Sequence, residues 1–188
     1  MKAVVVALSN NKDYLDSLMV NCGKLKVRIF DGTKPENQHI TKVYNQALDE
    51  EDAAYFFFAH QDLIGDIESF VETAMATGDK RDVIGVVGKQ YLIEIWGKDT
   101  QHIEQVDTLD ECGFGFWKEA GYRFDEKLTW TNYSQDICLQ AKANGGKSLV
   151  IPSNVDHVGI TKQWFWDNGY FAKEYYYIKK KWGNFHRT

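Results

Sequence analysis

Tyr55-Phe56-Phe57-Phe58-Ala59-His60-Gln61-Asp62-Leu63 is the stretch on which the reading of the whole chain turns. It contains no turn residue, and a short unbroken apolar run reads as a strand buried on both faces. The run ends abruptly in an imidazole, an amide and a carboxylate. In open α/β sheets ligands bind beyond the carboxyl ends of the strands, so this end offers His60 and Asp62 as candidate metal ligands. The same residues also read as an ordinary core strand with a polar end, in which Asp62 caps the next helix.

On the amino-terminal side, Val4 to Leu8 reads as a buried strand, and Ser9-Asn10-Asn11 supplies turn and N-cap chemistry. The helix that follows has Tyr14, Leu15, Leu18 and Met19 on one face and stops at Gly23. Lys26 to Phe30 is a second strand, closed by the turn Asp31-Gly32. Ile40, Val43, Tyr44, Ala47 and Leu48 then recur at the spacing of one helix face. Beyond the aromatic strand, a third amphipathic helix within Asp62 to Thr77 points Ile67, Phe70, Val71, Ala74 and Met75 inward, and Val83 to Val87 is a β-branched strand. Strands alternating with helices call for an α/β domain with a mostly parallel sheet covered by helices. After residue 88 the rhythm changes to short extended segments at Tyr91 to Trp96, Ile103 to Leu109 and Cys112 to Trp117. A helix from about Tyr133 to Gly145 and a strand at Leu149 to Ile151 complete the domain.

A chain of 188 residues with this order is one domain, taken here as 1–160, followed by an aromatic and lysine-rich helix or tail over 161–188. The net charge of −5 gives no case for nucleic-acid binding. Cys22, Cys112 and Cys138 are odd in number and widely spaced, which supports neither a disulfide framework nor a zinc knuckle. No apolar stretch approaches membrane-spanning length, and the run at Ala3 to Leu8 is too short for a signal peptide core. The expectation is a cytoplasmic protein. There is no glycine-rich dinucleotide or phosphate-binding loop after the first strand.

In a parallel sheet Ser9-Asn10, Asp31 and His60-Gln61-Asp62 fall on one edge and can converge on one ligand. Asp110-Glu111, Gln135-Asp136 at a helix start and His157 after the last strand are further polar clusters. A carboxylate after the second strand can accept hydrogen bonds from a base or ribose. One after the third can hold a divalent cation that neutralises a diphosphate leaving group. Another can remove a proton from an attacking hydroxyl. Asp31 and Asp110-Glu111 also read as plain turn residues, Asp136 as a residue favoured by its helix dipole, and Trp96 and Trp117 as packing.

In order, these motifs resemble glycosyltransferase family 2 with the GT-A fold, and within it the StrF-like branch. The resemblance is carried by the strand end Phe58-Ala59-His60-Gln61-Asp62, by Gly85-Val86-Val87-Gly88 with Trp96, and by Thr108-Leu109-Asp110-Glu111. Phe124-Asp125-Glu126, Tyr133 to Asp136 and the late His157 continue it. It implies a Rossmann-like nucleotide-diphospho-sugar transferase fold and inverting transfer of a sugar from a nucleotide donor, UDP-linked first among them, to a glycan or lipid-linked hydroxyl. Asp136 would be the general base; Asp62 and His157 would hold Mn2+ or Mg2+. Ser9, Asn10, Asp31, Asn45, His60, Gln61, Trp96, Asp110 and Glu111 would line the donor and acceptor sites. His60 stands where the first Asp of the usual Asp-x-Asp motif would be, and one carboxylate of the usual loop after the second strand is missing. A non-catalytic nucleotide-sugar binder is the alternative, and a sugar nucleotidyltransferase ranks below it because Ser9-Asn10-Asn11-Lys12-Asp13 has no glycine. In the tail, Trp164-Phe165-Trp166, Tyr175-Tyr176-Tyr177 and Lys179-Lys180-Lys181-Trp182 read as a helix packing on the domain, as a docking surface for the anionic inner face of a membrane, or as a homodimer contact.

Overall fold

A computed structural model describes residues 2–91, 93–159 and 169–183. Trp164-Phe165-Trp166 lie outside the described residues. The elements run β1 (Ala3–Ser9), α1 (Lys12–Asn21), β2 (Lys26–Asp31), α2 (Ile40–Glu50), β3 (Tyr55–His60), β4 (Leu63–Ile64), α3 (Ile67–Ala76), β5 (Val83–Gly85), β6 (Val87–Gln90), β7 (Ile93–Trp96). They continue with β8 (Glu104–Val106), β9 (Thr108–Leu109), β10 (Gly113–Trp117), α4 (Tyr133–Ala143), β11 (Ser148–Val150), β12 (Asp156–His157) and α5 (Tyr170–Trp182).

The main sheet has seven strands in the order β2-β1-β3-β10-β5-β11-β8. β1 pairs in parallel with both β2 and β3, so Ser9 lies opposite Asp31 and Leu8 opposite His60. Only β10 and β8 run against the common direction of the sheet.

The alternation along β3 explains why an all-apolar strand belongs at the centre. Phe56 and Phe58 enter a core with Tyr44 and Val43 of α2, Phe114, Phe116, Phe124 and Ile137 of α4. Tyr55, Phe57 and Ala59 enter the opposite core with Leu18, Ile67, Phe70 and Val71 from α1 and α3. Burying each such aromatic contributes about 2–3 kcal/mol. The neighbour β10 is built to fit: Phe114 and Phe116 meet Phe58, while a side chain at Gly115 would strike the Phe56 carbonyl and the Tyr55 hydroxyl, at 2.6 and 2.7 Å. Glycine alternating with phenylalanine leaves space on one face and fills the other.

Two expectations are corrected, and one element was not foreseen. The strand expected over Val83 to Val87 breaks at Val86: β5 stays in the main sheet and β6 leaves it for a three-stranded sheet, β7-β6-β9. The Leu109 side chain occupies the space against Gly85 at that exit. On α1 only Leu18 is buried, while Tyr14 and Met19 are 40% and 46% exposed, because this helix meets the structure mainly near β1 and the short β4. The β4 strand had no signal in the sequence, two residues being too few to show a period. The faces expected for α2 and for most of α3 are the buried ones.

Candidate functional site

β3 delivers His60 to the edge of the sheet, and the turn after it presents Asp62. The chain then pairs β4 antiparallel with β12, which sets Leu63 opposite His157 and returns His157 to Asp62 from 95 residues away. The backbone N–H of Val158 donates to the Asp62 carbonyl at 3.2 Å and closes the corner. His157 Nε2 lies 3.0 Å from Asp62 Oδ1 and 3.4 Å from His60 Nδ1. One ligand atom from each of the three residues falls within 4.8 Å of the others.

The ionisation of the group follows from its partly dry setting. Burial lowers the pKa of His60, helped by the charge of His157. Burial opposes ionisation of Asp62 and of His157 as well, yet their mutual hydrogen bond and attraction prevail, so Asp62 titrates lower and His157 higher than usual. Tyr133, at the start of α4, sets its hydroxyl 3.4 Å from His60 Nε2, which leaves Nδ1 for the group. Gly159 lets the Asp62 carboxylate lie close against the backbone: a Cβ there would overlap Asp62 Oδ2 and come within 3.0 Å of His157 Nε2. Two imidazoles and one carboxylate make a donor set that suits a divalent cation. Tyr133 and Gly159 were not expected as site residues. Tyr133 had a signal in its motif with Asp136; Gly159 had none.

The neighbouring strand ends are joined to this corner by one side chain. Gln61 Oε1 accepts from Ser9 Oγ at 2.9 Å, from the Asn10 N–H at 3.0 Å and from the Asn11 N–H at 3.1 Å. Its Nε2 donates to Asn10 Oδ1 at 2.9 Å. Asp31 lies at the end of β2 beside Ser9; its Oδ1 accepts from the Thr33 N–H and Oγ1, bonds that lower its pKa. Asp110 follows β9, where its N–H donates to the Val87 carbonyl and its Oδ1 accepts from the Cys112 N–H at 2.9 Å. Its charge acts on both His60 and His157. Glu111 acts on Tyr44 and Tyr133, and with the Gln135 amide oriented to satisfy its neighbours, the amide nitrogen donates to Glu111 Oε1 at 3.0 Å.

Besides Gln61, three expected site residues are otherwise engaged. Asn45 is buried in α2 and closes a pair of bonds with the backbone of Phe124, from the N–H at 3.0 Å and to the carbonyl at 2.9 Å. Trp96 ends β7 with the Lys98 ammonium 5.0 Å over its ring, so that face does not lie open for a sugar. Asp136, expected as an open base, is fully buried against α5. Its carboxylate accepts from Lys181 Nζ at 2.8 Å, Trp182 Nε1 at 2.7 Å and Gln140 Nε2 at 2.9 Å. The α4 register that turns Tyr133 toward His60 turns Asp136 toward the carboxyl-terminal helix.

No protein-family model matches this chain, and no curated protein matches it. Solved structures do. A197 from STIV superposes with a TM-score of 0.53 at 13% identity, over 85% of this chain and 87% of that one. S. aureus TarS 1-349 in complex with UDP superposes with a TM-score of 0.58 at 16% identity, over 81% of this chain and 58% of that one. The same TarS segment in complex with UDP-GlcNAc gives 0.56 at 16% identity, over 81% and 56%. The chain thus spans a little over half the length of those TarS structures. At these identities the likeness is one of architecture: the chain has the α/β fold of GT-A type.

Proposed function

We propose that this chain binds a nucleotide-sugar, a UDP-sugar first among donors, and transfers the sugar to a hydroxyl acceptor of a glycan or lipid-linked glycan with inversion. One observation carries the reading: His60, Asp62 and His157 converge at the carboxyl end of β3, in the strand-end row that also holds Ser9 and Asp31. The nucleotide would lie along Ser9, Asn10 and Asp31. His60, Asp62 and His157 would hold a divalent cation, Mn2+ or Mg2+, whose chemistry is to neutralise charge on a departing diphosphate. The acceptor oxygen bonds to the anomeric carbon as the bond from that carbon to the diphosphate oxygen breaks. The acceptor's proton passes to a carboxylate. With Asp136 closed off, Asp110 and Glu111 are the carboxylates we assign to the acceptor side. The ligands of the TarS structures, UDP and UDP-GlcNAc, support the donor class.

The test is a screen for binding and sugar release over UDP-, GDP- and dTDP-sugars, with and without Mn2+ or Mg2+. Metal-stimulated turnover of one donor class, lost in Asp110→Asn or Glu111→Gln, is the expected result. Turnover that ignores the metal would overturn the role of the His60 group. A second reading, a nucleotide-sugar binder without turnover, is favoured by the closure of Asp136 alone. It predicts donor binding in the same screen with no sugar release.

A further inference from the structure

Gln61 stands between the two halves of the proposed site, and its hydrogen bonds assign it a role that its neighbours do not share. Among the strand-end residues, His60 and Asp62 put their polar atoms toward His157. Gln61, between them, points across the sheet edge to the loop between β1 and α1. Its carbonyl oxygen gathers three donors from Ser9, Asn10 and Asn11, and its amide nitrogen is given to Asn10. An amide oxygen has two lone pairs, so three donors leave it nothing for a ligand.

Besides Gln61, the ends of this loop are held by the Gly32 N–H donating to the Ser9 carbonyl at 2.7 Å and the Leu15 N–H donating to the Asn11 carbonyl at 3.1 Å, neither of which reaches Asn10. Ser9 Oγ reaches the Asn11 carbonyl at 3.2 Å, and Asn11 spends its own side chain on capping α1, accepting from the Asp13 N–H at 2.9 Å. Asn10 is exposed, and Gln61 is the only residue with a hydrogen bond to its side chain among the described residues. Donation from Gln61 to Asn10 Oδ1 also decides which way that amide faces. The Asn10 Nδ2 is left as the group that can donate to an incoming carbonyl or phosphate oxygen.

We infer that Gln61 is a positioning residue: it touches no donor atom, and it sets the β1–α1 loop and the Asn10 amide for the donor's nucleotide while sharing its turn with the cation ligand Asp62. The inference deepens the proposed function and rests on the reading of Ser9 and Asn10 as a nucleotide contact. A Gln at this place is needed for its two-sided amide. Leu fills the same volume and offers neither side. Glu offers the acceptor to the same three donors, and the Asn10 amide can turn over to meet it.

The test compares Gln61→Leu and Gln61→Glu with the unaltered chain by three measurements. Amide hydrogen exchange should become at least 10-fold faster at Asn10 and Asn11 in Gln61→Leu and stay near the unaltered rate in Gln61→Glu. UDP, measured by calorimetry, should bind Gln61→Leu at least 10-fold more weakly. Mn2+ binding to the protein alone, followed by electron paramagnetic resonance, should stay within about 2-fold, which shows that the His60 group is intact. Unchanged exchange in Gln61→Leu would overturn the clamp. Faster exchange with unchanged UDP affinity would overturn its role in nucleotide positioning. If the unaltered chain binds no UDP, GDP or dTDP, the nucleotide reading falls, and the exchange rates still decide whether Gln61 holds the loop.

Discussion

Replacing Tyr133 by Phe removes one hydroxyl from the Nε2 side of His60 while keeping the ring packed against Tyr44, Phe114 and Phe124. Groups that orient a ligand histidine from its far nitrogen are worth about 10–100-fold in metal affinity. Tyr133→Phe should therefore weaken Mn2+ binding about 10-fold in a resonance titration, at a stability cost of about 1 kcal/mol. Gly159→Ala tests the close approach of the backbone to the same group. Its φ is not in the left-handed region, so the backbone tolerates alanine, but the new methyl falls on Asp62 Oδ2 and beside His157 Nε2. Mn2+ affinity should drop by at least 10-fold with the thermal midpoint little changed. His60 and Asp62 were legible as ligands because they end an unmistakable strand. His157 was legible only as a late lone histidine, since the pairing that returns it to Asp62 runs through two-residue strands.

At the scale of elements, β3 and α5 show two ways of holding a helix or strand in place. Phe58 lies at the centre of an aromatic cluster, with Tyr44, Phe56, Phe114, Phe116 and Phe124 all in ring contact. Phe58→Ala should cost about 3–5 kcal/mol in urea unfolding, through lost burial and the cavity left behind. α5 is held by polar bonds at both ends. Glu174 is buried and accepts from the N–H and hydroxyl of Thr129 and of Thr131, at 2.6–2.8 Å. Lys181 and Trp182 close on Asp136, and Tyr177 and Lys181 on Asp125. Asp136→Asn keeps an acceptor but removes the charge facing Lys181, which retains Asp125. A loss of about 1–3 kcal/mol is expected. A selective loss of sugar transfer at unchanged stability would instead restore Asp136 as the base. The motif around Tyr133 was readable; which of its residues faced the cleft was not. That depends on how α4 is rotated against β3 and on helix residues 45 and 46 positions further along the chain than Asp136.

At the scale of the whole molecule, α5 packs on the same body as the rest through Ile178, Glu174 and Lys181, and turns Lys173, Tyr176, Lys179 and Lys180 outward. Among the described residues, no helix is long and apolar enough to cross a membrane. The outward lysines are what remains of the expected membrane contact, at about 1 kcal/mol each near an anionic surface. Sedimentation with phosphatidylserine vesicles should show weak binding that vanishes at high salt, and no binding at low salt would remove the idea. The sequence by itself determined the alternation of strands and helices, the central aromatic strand and the row of polar strand ends, because period and turn chemistry are local properties of the chain. The insertion of β10 between β3 and β5, the return of His157, the clamp by Gln61 and the closure of Asp136 were decided only in the tertiary structure. Each of them depends on which distant side chain fills the space or takes the hydrogen bond, and no local pattern encodes that choice.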